Sequence, residues 1–336
     1  MDLAEQRALL FAKKTVKERH LRPLSRYHFA GSSEYAQKGQ ALIAAGKVGC
    51  IILAGGQGSR LGASVPKGMV PVLEEKTLFQ LFLERTAAAS DRYGCPLSLA
   101  IMTSPLNHKE SLAYLQDHAF FGAKQVDLFE QEMLPLLDDQ GNPLTEGPAG
   151  NGEVFKYFVR SGLFKQWQER GIEYIHVILV DNPLADPFDP ELCGFHAEMH
   201  AQITLKGVKK EDPEEKMGVI LEEEGKIRVV EYSEASETLK RLPGLIGNTS
   251  LFCFSMDFVQ TAASASLPWH IVQKEIVVGE KRIKGWKFET FIFDLLEYAS
   301  KIEVLVYPRN KTYAPLKSLA DLANLKALLT CNKIIS

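Results

Sequence analysis

The 336-residue chain is 46% hydrophobic and 24% charged, with 39 Lys and Arg against 42 Asp and Glu for a formal net charge of -3. That length carries one large α/β domain or two smaller ones, and basic residues scattered along the chain, with no stripe of them, argue against a nucleic-acid surface. Five well-separated cysteines (Cys50, Cys95, Cys193, Cys253, Cys331) without a C-x-x-C pair read as buried thiols of a reducing compartment, neither a zinc site nor a disulfide framework.

The first thirty residues are charged and amphipathic with no apolar leader core, and no run approaches the roughly 18 apolar residues of a membrane span. The expectation is a cytoplasmic protein without a membrane segment. Leu9, Leu10 and Ala12, then Ala41, Leu42 and Ala45, carry helical spacing interrupted by "LRPLS", which predicts a helical N-terminal segment over residues 1–46. From residue 47, apolar runs of strand length alternate with helical patterns: "GCIILA", "TLFQLFLERTAAA", "LSLAIMTS", "HKESLAYLQDH", "VDLFEQ", one long helix through "EVFKYFVRSGLFKQWQERG", then "YIHVILVDN". This order predicts a mainly parallel, Rossmann-like sheet covered on both faces by helices.

After Asp181 the pattern changes. "ITLKGV", "MGVILEEEGKIRVVEYSE" and "LFCFS" suit antiparallel strands, with a hairpin turn at "EEEG". A helix at "ETFIFDLLEYAS" closes a region over 47–300, and a strand, a lysine-bearing loop and a helix complete residues 301–336. The runs "KKEDPEEK" and "LEEEGK" read as solvated turns. His196 and His200 stand four apart in "HAEMH", but Glu198 is displaced from the position a zinc protease needs, so this is not a metal motif.

The stretch "IILAGGQGSRLGASVPKG" (51–68) leaves the first apolar strand. Gly56, Gly58 and Gly62 are spaced one residue too far for a dinucleotide fingerprint, and Lys67 lies between Pro66 and Gly68, unlike a Walker A lysine. What remains is either a tight glycine-rich turn or a phosphate cradle. Glycines let backbone amides approach anionic oxygens, while Arg60 and Lys67 add a planar fork and a point charge; these two additions favour the triphosphate reading.

The form L-A-G-G-x-G-[ST]-R-L-G followed by P-K resembles the signature of the UDP-sugar pyrophosphorylase family (UDPGP type 1), and most closely its UDP-N-acetylglucosamine pyrophosphorylases. "KTLFQLFLER", "FEQEMLP", "GPAGNGEVF", "RGIEYIHVILVDNPL", "VVEYSE", "GNTSLFCFS", "KFETFIFDLL" and "APLKS" follow in the family's order. The resemblance implies a GT-A-like nucleotide-diphospho-sugar transferase fold. The implied reaction converts UTP and a hexose 1-phosphate, foremost N-acetylglucosamine 1-phosphate, into a UDP-sugar and pyrophosphate, with UDP-glucose synthesis or broad specificity as the alternative. A catalytically silent UDP-sugar-binding relative is the reading from a different class, and the retention of Lys67 and Asp181 speaks against it.

Carried over residue by residue, the resemblance makes Arg60 and Lys67 catalytic. It assigns Leu53, Ala54, Gly55, Gly56, Gly58, Gln131, Gly150 and Asn151 to the nucleotide, and Gly218, Glu234 and Asn248 to the sugar. Lys287 and Lys317 go to phosphates, and Asp181, at the end of an apolar strand, to Mg²⁺ with Mn²⁺ as a substitute. Outside that context Asp181 reads as a turn cap, and the two lysines, Glu234 and Asn248 as surface groups. Ala149 departs from the family, which usually shows an Asp there, and puts the neighbouring uridine contact in question. Longer family members carry further terminal parts, so the implied state of this chain is a monomer.

Overall fold

The computed structural model describes residues 1–12, 20–58, 62, 65–73, 75–279 and 281–332. Val48–Leu53 is six apolar or small residues in a row, and every one is buried. Such a run suits a strand covered on both faces, and its side chains divide accordingly. Ile51 and Leu53 enter a core with Phe155, Phe158, Trp167 and Phe254, while Val48, Cys50 and Ile52 enter another with Phe79, Phe82 and Leu99. The period-two alternation of strand side chains thus feeds two hydrophobic layers, one on each face.

The strand belongs to an eleven-stranded sheet whose main path runs His28–Phe29, Ile302–Val306, Ile203–Lys209, Ile246–Ser255, Tyr174–Leu179, Val48–Leu53, Ser98–Thr103, Gln125–Glu130. Ile246–Ser255 pairs antiparallel with both neighbours; the other pairings on this path are parallel. The fold is therefore mixed α/β with a large, mostly parallel central sheet. The predicted hairpin Val219–Glu223/Lys226–Val230 branches from this path by pairing with the Ile246–Gly247 end of the interior strand Ile246–Ser255; its turn has Glu224 at φ 50° and Gly225 at φ 82°, the primed geometry that suits two-residue hairpins. Strands from both ends of the chain, His28–Phe29 and Ile302–Val306, lie side by side in this sheet.

Three expectations need correction. The long helix over "EVFKYFVRSGLFKQWQERG" is two helices, Val154–Arg160 and Leu163–Glu169. Gly162 between them sits at φ 83°, where a residue with a Cβ is strained. The "ETFIFDLLEYAS" segment forms a 3₁₀ helix, Ile292–Tyr298, and not an α-helix. Of the five cysteines, Cys50, Cys193 and Cys253 are buried, but Cys95 is half-buried and Cys331 exposed.

A second, four-stranded sheet stands beside the first, in the order His270–Val278, Lys281–Glu289, Met133–Leu137, Pro143–Pro148. The N-terminal helix Leu3–Phe11 docks on it, Gln6 Nε2 donating to the Pro135 carbonyl (3.0 Å) and Arg7 Nε to the Gly141 carbonyl (2.8 Å). No helix among the described residues is long and apolar enough to cross a membrane.

His196 of the "HAEMH" stretch is buried, hydrogen-bonded to Thr204 Oγ1 (2.8 Å) and Ser255 Oγ (2.9 Å). Burial pushes its imidazole down to about 3, so it is a neutral core residue.

Candidate active site

Val48–Leu53 and Tyr174–Leu179 are parallel neighbours in register, and the chain leaves the first towards Ser98–Thr103 and Gln125–Glu130 on the opposite side. The crevice beyond their carboxyl ends is a topological switch point, the place where open α/β sheets bind ligands. The glycine loop emerges from one of these strands and Asp181 stands just past the other.

Leu53 and Ala54 continue the sheet: the Leu53 carbonyl accepts from Val180 N (3.1 Å), and Ala54 N donates to the Met102 carbonyl (2.8 Å). A Cβ on Gly55 would come within 1.6 Å of Gln131 Nε2, so the glycine leaves room for that amide to lie across the loop. Gln131 is held by its own N–H on the Thr103 carbonyl (2.9 Å), and its buried Oε1 has no partner among the described residues. A buried carbonyl oxygen left unpaired is costly until a donor arrives. Gly56 has open space where a side chain would project.

The loop then closes on itself. Gln57 bridges to Pro66, Gly58 N donates to the Val65 carbonyl (3.2 Å), and Lys67 N to the Gly56 carbonyl (3.4 Å). Lys67 returns in this way to the foot of the loop, and its Nζ lies 2.8 Å from Asp181 Oδ2, each side chain about one-fifth exposed (20% and 19%). Arg60 lies outside the described residues.

Asp181 is fixed from behind. Its carbonyl accepts from Leu316 N (2.7 Å), and the fully buried Asn182 donates to the Thr312 carbonyl (2.8 Å) and accepts from Ala314 N (3.0 Å). Arg85 carries the next residues, donating to the carbonyls of Pro183 (3.1 Å) and Ala185 (2.7 Å). These bonds splice the "APLKS" loop onto the strand end. Asp181 Oδ1 is buried and unpartnered among the described residues, where a cation would be welcome. No cluster of three or more His, Cys, Asp or Glu suited to a metal occurs among them. One carboxylate with ligand phosphates completing the shell fits Mg²⁺, which dehydrates reluctantly and favours such partial sites.

Towards the sheet edge, Gly218 and Asn248 meet directly, the Gly218 carbonyl accepting from Asn248 N (2.8 Å). A Cβ on Gly218 would stand 2.9 Å from Glu231 Oε1. The carboxylate facing this glycine therefore belongs to Glu231, three residues before the Glu234 expected from the sequence. Burial raises the Glu231 carboxyl above its ordinary value, partly offset by the charge of Lys317. Lys317 Nζ reaches the Lys216 carbonyl (3.0 Å), two residues from Gly218. Tyr313, packed with Val208 and Met217, has its phenol raised by burial and by the carboxylates of Asp181, Glu215 and Glu231.

The remaining predicted residues stand elsewhere. Glu234 Oε1 is 2.9 Å from His270 Nδ1, and Asp294 Oδ2 is 2.9 Å from the other ring nitrogen. Burial disfavours the imidazolium, but these two carboxylates prevail and raise His270 to about 9. Lys287 pairs with Glu289 on its own strand. Gly150, at φ 94°, lies so close to Thr290 that a Cβ would be 2.4 Å from its carbonyl oxygen, and Asn151 Oδ1 accepts from Ile292 N (3.0 Å). Gly150 thus bridges to Thr290, just past the Lys281–Glu289 strand of the second sheet, and Asn151 holds the start of the 3₁₀ helix Ile292–Tyr298. Ala149 is buried with Leu134, Leu137 and Phe288, an apolar setting that suits alanine and would penalise the family's Asp.

A family described as UTP–glucose-1-phosphate uridylyltransferase matches residues 4–333. The chain belongs to that family. Among its relatives, a Dictyostelium discoideum protein named as a UDP-N-acetylglucosamine pyrophosphorylase is 33% identical over 89% of this chain and 70% of its own length. UDP-N-acetylglucosamine diphosphorylase 2 of Arabidopsis thaliana is 32% identical over 83% of this chain, which spans 63% of that relative. A solved structure from Entamoeba histolytica, bearing the name UDP-N-acetylglucosamine pyrophosphorylase, superposes with a TM-score of 0.82 at 30% identity, covering 92% of this chain and 87% of its own. The fold extends to a Trypanosoma brucei UDP-glucose phosphorylase structure, with a TM-score of 0.83 at 18% identity over 96% of this chain and 74% of that one.

The sequence reading missed Glu231, Ser104 and Asn107. Glu231 lies in the quoted "VVEYSE" and needed only the register of the strand before it. Ser104 and Asn107 form an S-x-x-N turn directly after a buried strand, a local signature of side-chain to backbone bonding, and both touch the glycine loop.

Proposed function

We propose that this chain joins UTP and N-acetylglucosamine 1-phosphate into UDP-N-acetylglucosamine and pyrophosphate. The observation that carries the reading is the Lys67–Asp181 pair at the switch point, with the glycine loop on one side and Gly218, Glu231 and Asn248 on the other. A sugar-phosphate oxygen forms the new bond to the α-phosphorus of UTP, and the bond from that phosphorus to the β-phosphate oxygen breaks, releasing pyrophosphate.

The attacking oxygen is already anionic, so no general base is required. The barrier lies in bringing anions together and stabilising charge on the reacting phosphoryl group. Amides of the glycine loop would receive phosphate oxygens, Gln131 would pair its amide with the uracil edge, and Lys67 would neutralise the α-phosphate. Asp181, with phosphate oxygens, would hold Mg²⁺, or Mn²⁺ in its place; the ion contributes further charge neutralisation when bound. In the free protein Lys67 and Asp181 neutralise each other, which keeps both oriented without leaving either charge unpaired. Lys317 and Lys287 would meet phosphates, and Glu231 and Asn248 the sugar hydroxyls, with Gly218 leaving space for the 2-substituent.

The same reading carries a GT-A-like fold, a cytoplasmic setting and a monomeric state. Its test is pyrophosphate release from UTP and Mg²⁺ with a panel of hexose and N-acetylhexosamine 1-phosphates. The highest kcat/KM is expected with N-acetylglucosamine 1-phosphate. A clear preference for glucose 1-phosphate would overturn the sugar assignment, and UTP binding without turnover on any member would overturn the activity.

A further inference from the structure

Asn107 occupies the N-cap position of helix His108–Asp117, yet its side chain makes no capping hydrogen bond there. An asparagine at this position ordinarily turns its oxygen onto the first helical amides. Here the side chain is buried and points the other way. Its Oδ1 accepts from Ser104 N (2.9 Å), and its Nδ2 donates to the Ala54 carbonyl (2.9 Å) and the Gly56 carbonyl (3.2 Å). Ser104 Oγ, also buried, donates to the intervening Gly55 carbonyl (2.9 Å).

Three consecutive carbonyls of the glycine loop are therefore drawn to one side. The peptide bonds are trans, and in a planar trans peptide the carbonyl of one residue and the N–H of the next point in opposite directions. Fixing the carbonyls of Ala54, Gly55 and Gly56 therefore turns the amides of Gly55, Gly56 and Gln57 to the opposite side, away from the Ser104–Asn107 turn. Glycine backbone is otherwise free to rotate these groups; the Gly56 carbonyl is also met by Lys67 N (3.4 Å), whereas the Ala54 and Gly55 carbonyls, and with them the amides of Gly55 and Gly56, are directed by the Ser104–Asn107 turn. The other common N-cap side chains cannot do this: Asp has no donor when ionised, and Ser or Thr has one short hydroxyl. Asparagine accepts from the turn and donates to the loop at once.

We propose that Asn107, assisted by Ser104, is a positioning residue that pre-aims the loop amides at the UTP phosphates. This rests on the UTP-dependent reading above and deepens it. Pre-aimed donors incur no reorganisation when the anion binds, so the effect falls on UTP and not on the sugar phosphate.

The test compares wild type with Asn107→Asp, which keeps shape and the acceptor but loses the donors, and with Ser104→Ala, which removes the Gly55 contact and the longer bond from Ser104 Oγ to Asn107 Oδ1 (3.3 Å). Melting temperature, kcat and KM for each substrate are measured, together with UTP binding by calorimetry. Asn107→Asp is expected to raise the KM and Kd for UTP on the order of tenfold, the scale of losing two buried hydrogen bonds, with the sugar-phosphate KM unchanged. Ser104→Ala should raise them about threefold and provides the same readout should the Asp variant fail to fold. A lowered melting temperature with both substrate constants at wild-type values would reduce the residue to a structural cap and overturn the inference. A wild type that binds UTP but turns over no sugar phosphate would break the activity reading alone, because the calorimetric comparison still decides the role of Asn107.

Discussion

The half of the site proposed for the nucleotide and the half proposed for the sugar are built differently. The glycine loop, Gln131, Lys67 and Asp181 stand at or just beyond the ends of neighbouring parallel strands of one sheet, where Gln131 is tied to the Thr103 backbone and Asp181 to the Leu316 backbone and Lys67 pairs with Asp181. Gly218, Glu231, Asn248 and Lys317 come from an edge hairpin, a long antiparallel strand and the C-terminal loop. The first half stands at the strand ends of one sheet and sets two opposite charges side by side; the second is an assembly of separate segments. Under the proposed function, the shared phosphoryl-transfer chemistry falls on the former and sugar choice on the latter.

That contrast can be broken by mutation. The largest effect is expected from Lys67→Ala, which should lower kcat by about 10²- to 10³-fold because it removes a charge acting on the transition state; near-normal turnover in steady-state assays would exclude that role. Asp181→Asn should abolish or shift the Mg²⁺ dependence of pyrophosphate release, and an unchanged metal titration would exclude the metal assignment. On the sugar side, Glu231→Gln is expected to raise the KM for N-acetylglucosamine 1-phosphate about tenfold with the UTP constant unaltered, the cost of one charged hydrogen bond. Glu234→Gln should change it by no more than about twofold, since that carboxylate is engaged by His270. The reverse ranking would return the sugar contact to Glu234.

The smallest effect concerns stability. His270 is held at about 9 in the folded chain, above its ordinary value near 6.5. A group whose pKa is raised on folding stabilises the fold fully below the unfolded value and loses that contribution as pH rises through the folded one. Thermal stability should therefore decline between pH 6.5 and 9 by an increment that His270→Gln removes; equal slopes in both proteins would show that the Glu234–His270–Asp294 bridge contributes nothing measurable.

Legibility in the sequence followed the same division. The parallel strands are continuous apolar runs ended by turn residues, so Val48–Leu53, Ser98–Thr103 and Tyr174–Leu179 can be read directly, and the family resemblance singled out Lys67 and Asp181, which the structure brings together at the strand ends. The second sheet was not legible: "KRIKGWKFE" alternates too irregularly and carries too many charges to signal a strand, and only its pairing with His270–Val278 and Met133–Leu137 reveals it. Glu231 and Glu234 share one short motif, and nothing in their spelling separates them. The strand Lys226–Val230 ends just before, and the chain then turns with Glu234 N on the Glu231 carbonyl (2.9 Å). That turn sends one carboxylate to Gly218 and the other to His270. The break between the two helices Val154–Arg160 and Leu163–Glu169 poses a similar difficulty: the glycine of "VRSGLF" is visible, but whether it ends a helix depends on a positive φ.

The central claim is that one crevice receives UTP on the sheet-anchored half and N-acetylglucosamine 1-phosphate on the edge half. Its most direct test is a crystal structure of the chain with UDP-N-acetylglucosamine and Mg²⁺. The account predicts phosphates on the amides of Gly55 and Gly56 beside Lys67, uracil against Gln131, metal on Asp181, and the sugar between Gly218, Glu231 and Asn248. A ligand seated elsewhere, for instance in the cavity of about 550 Å³ between the N-terminal helix and Trp269, would contradict it.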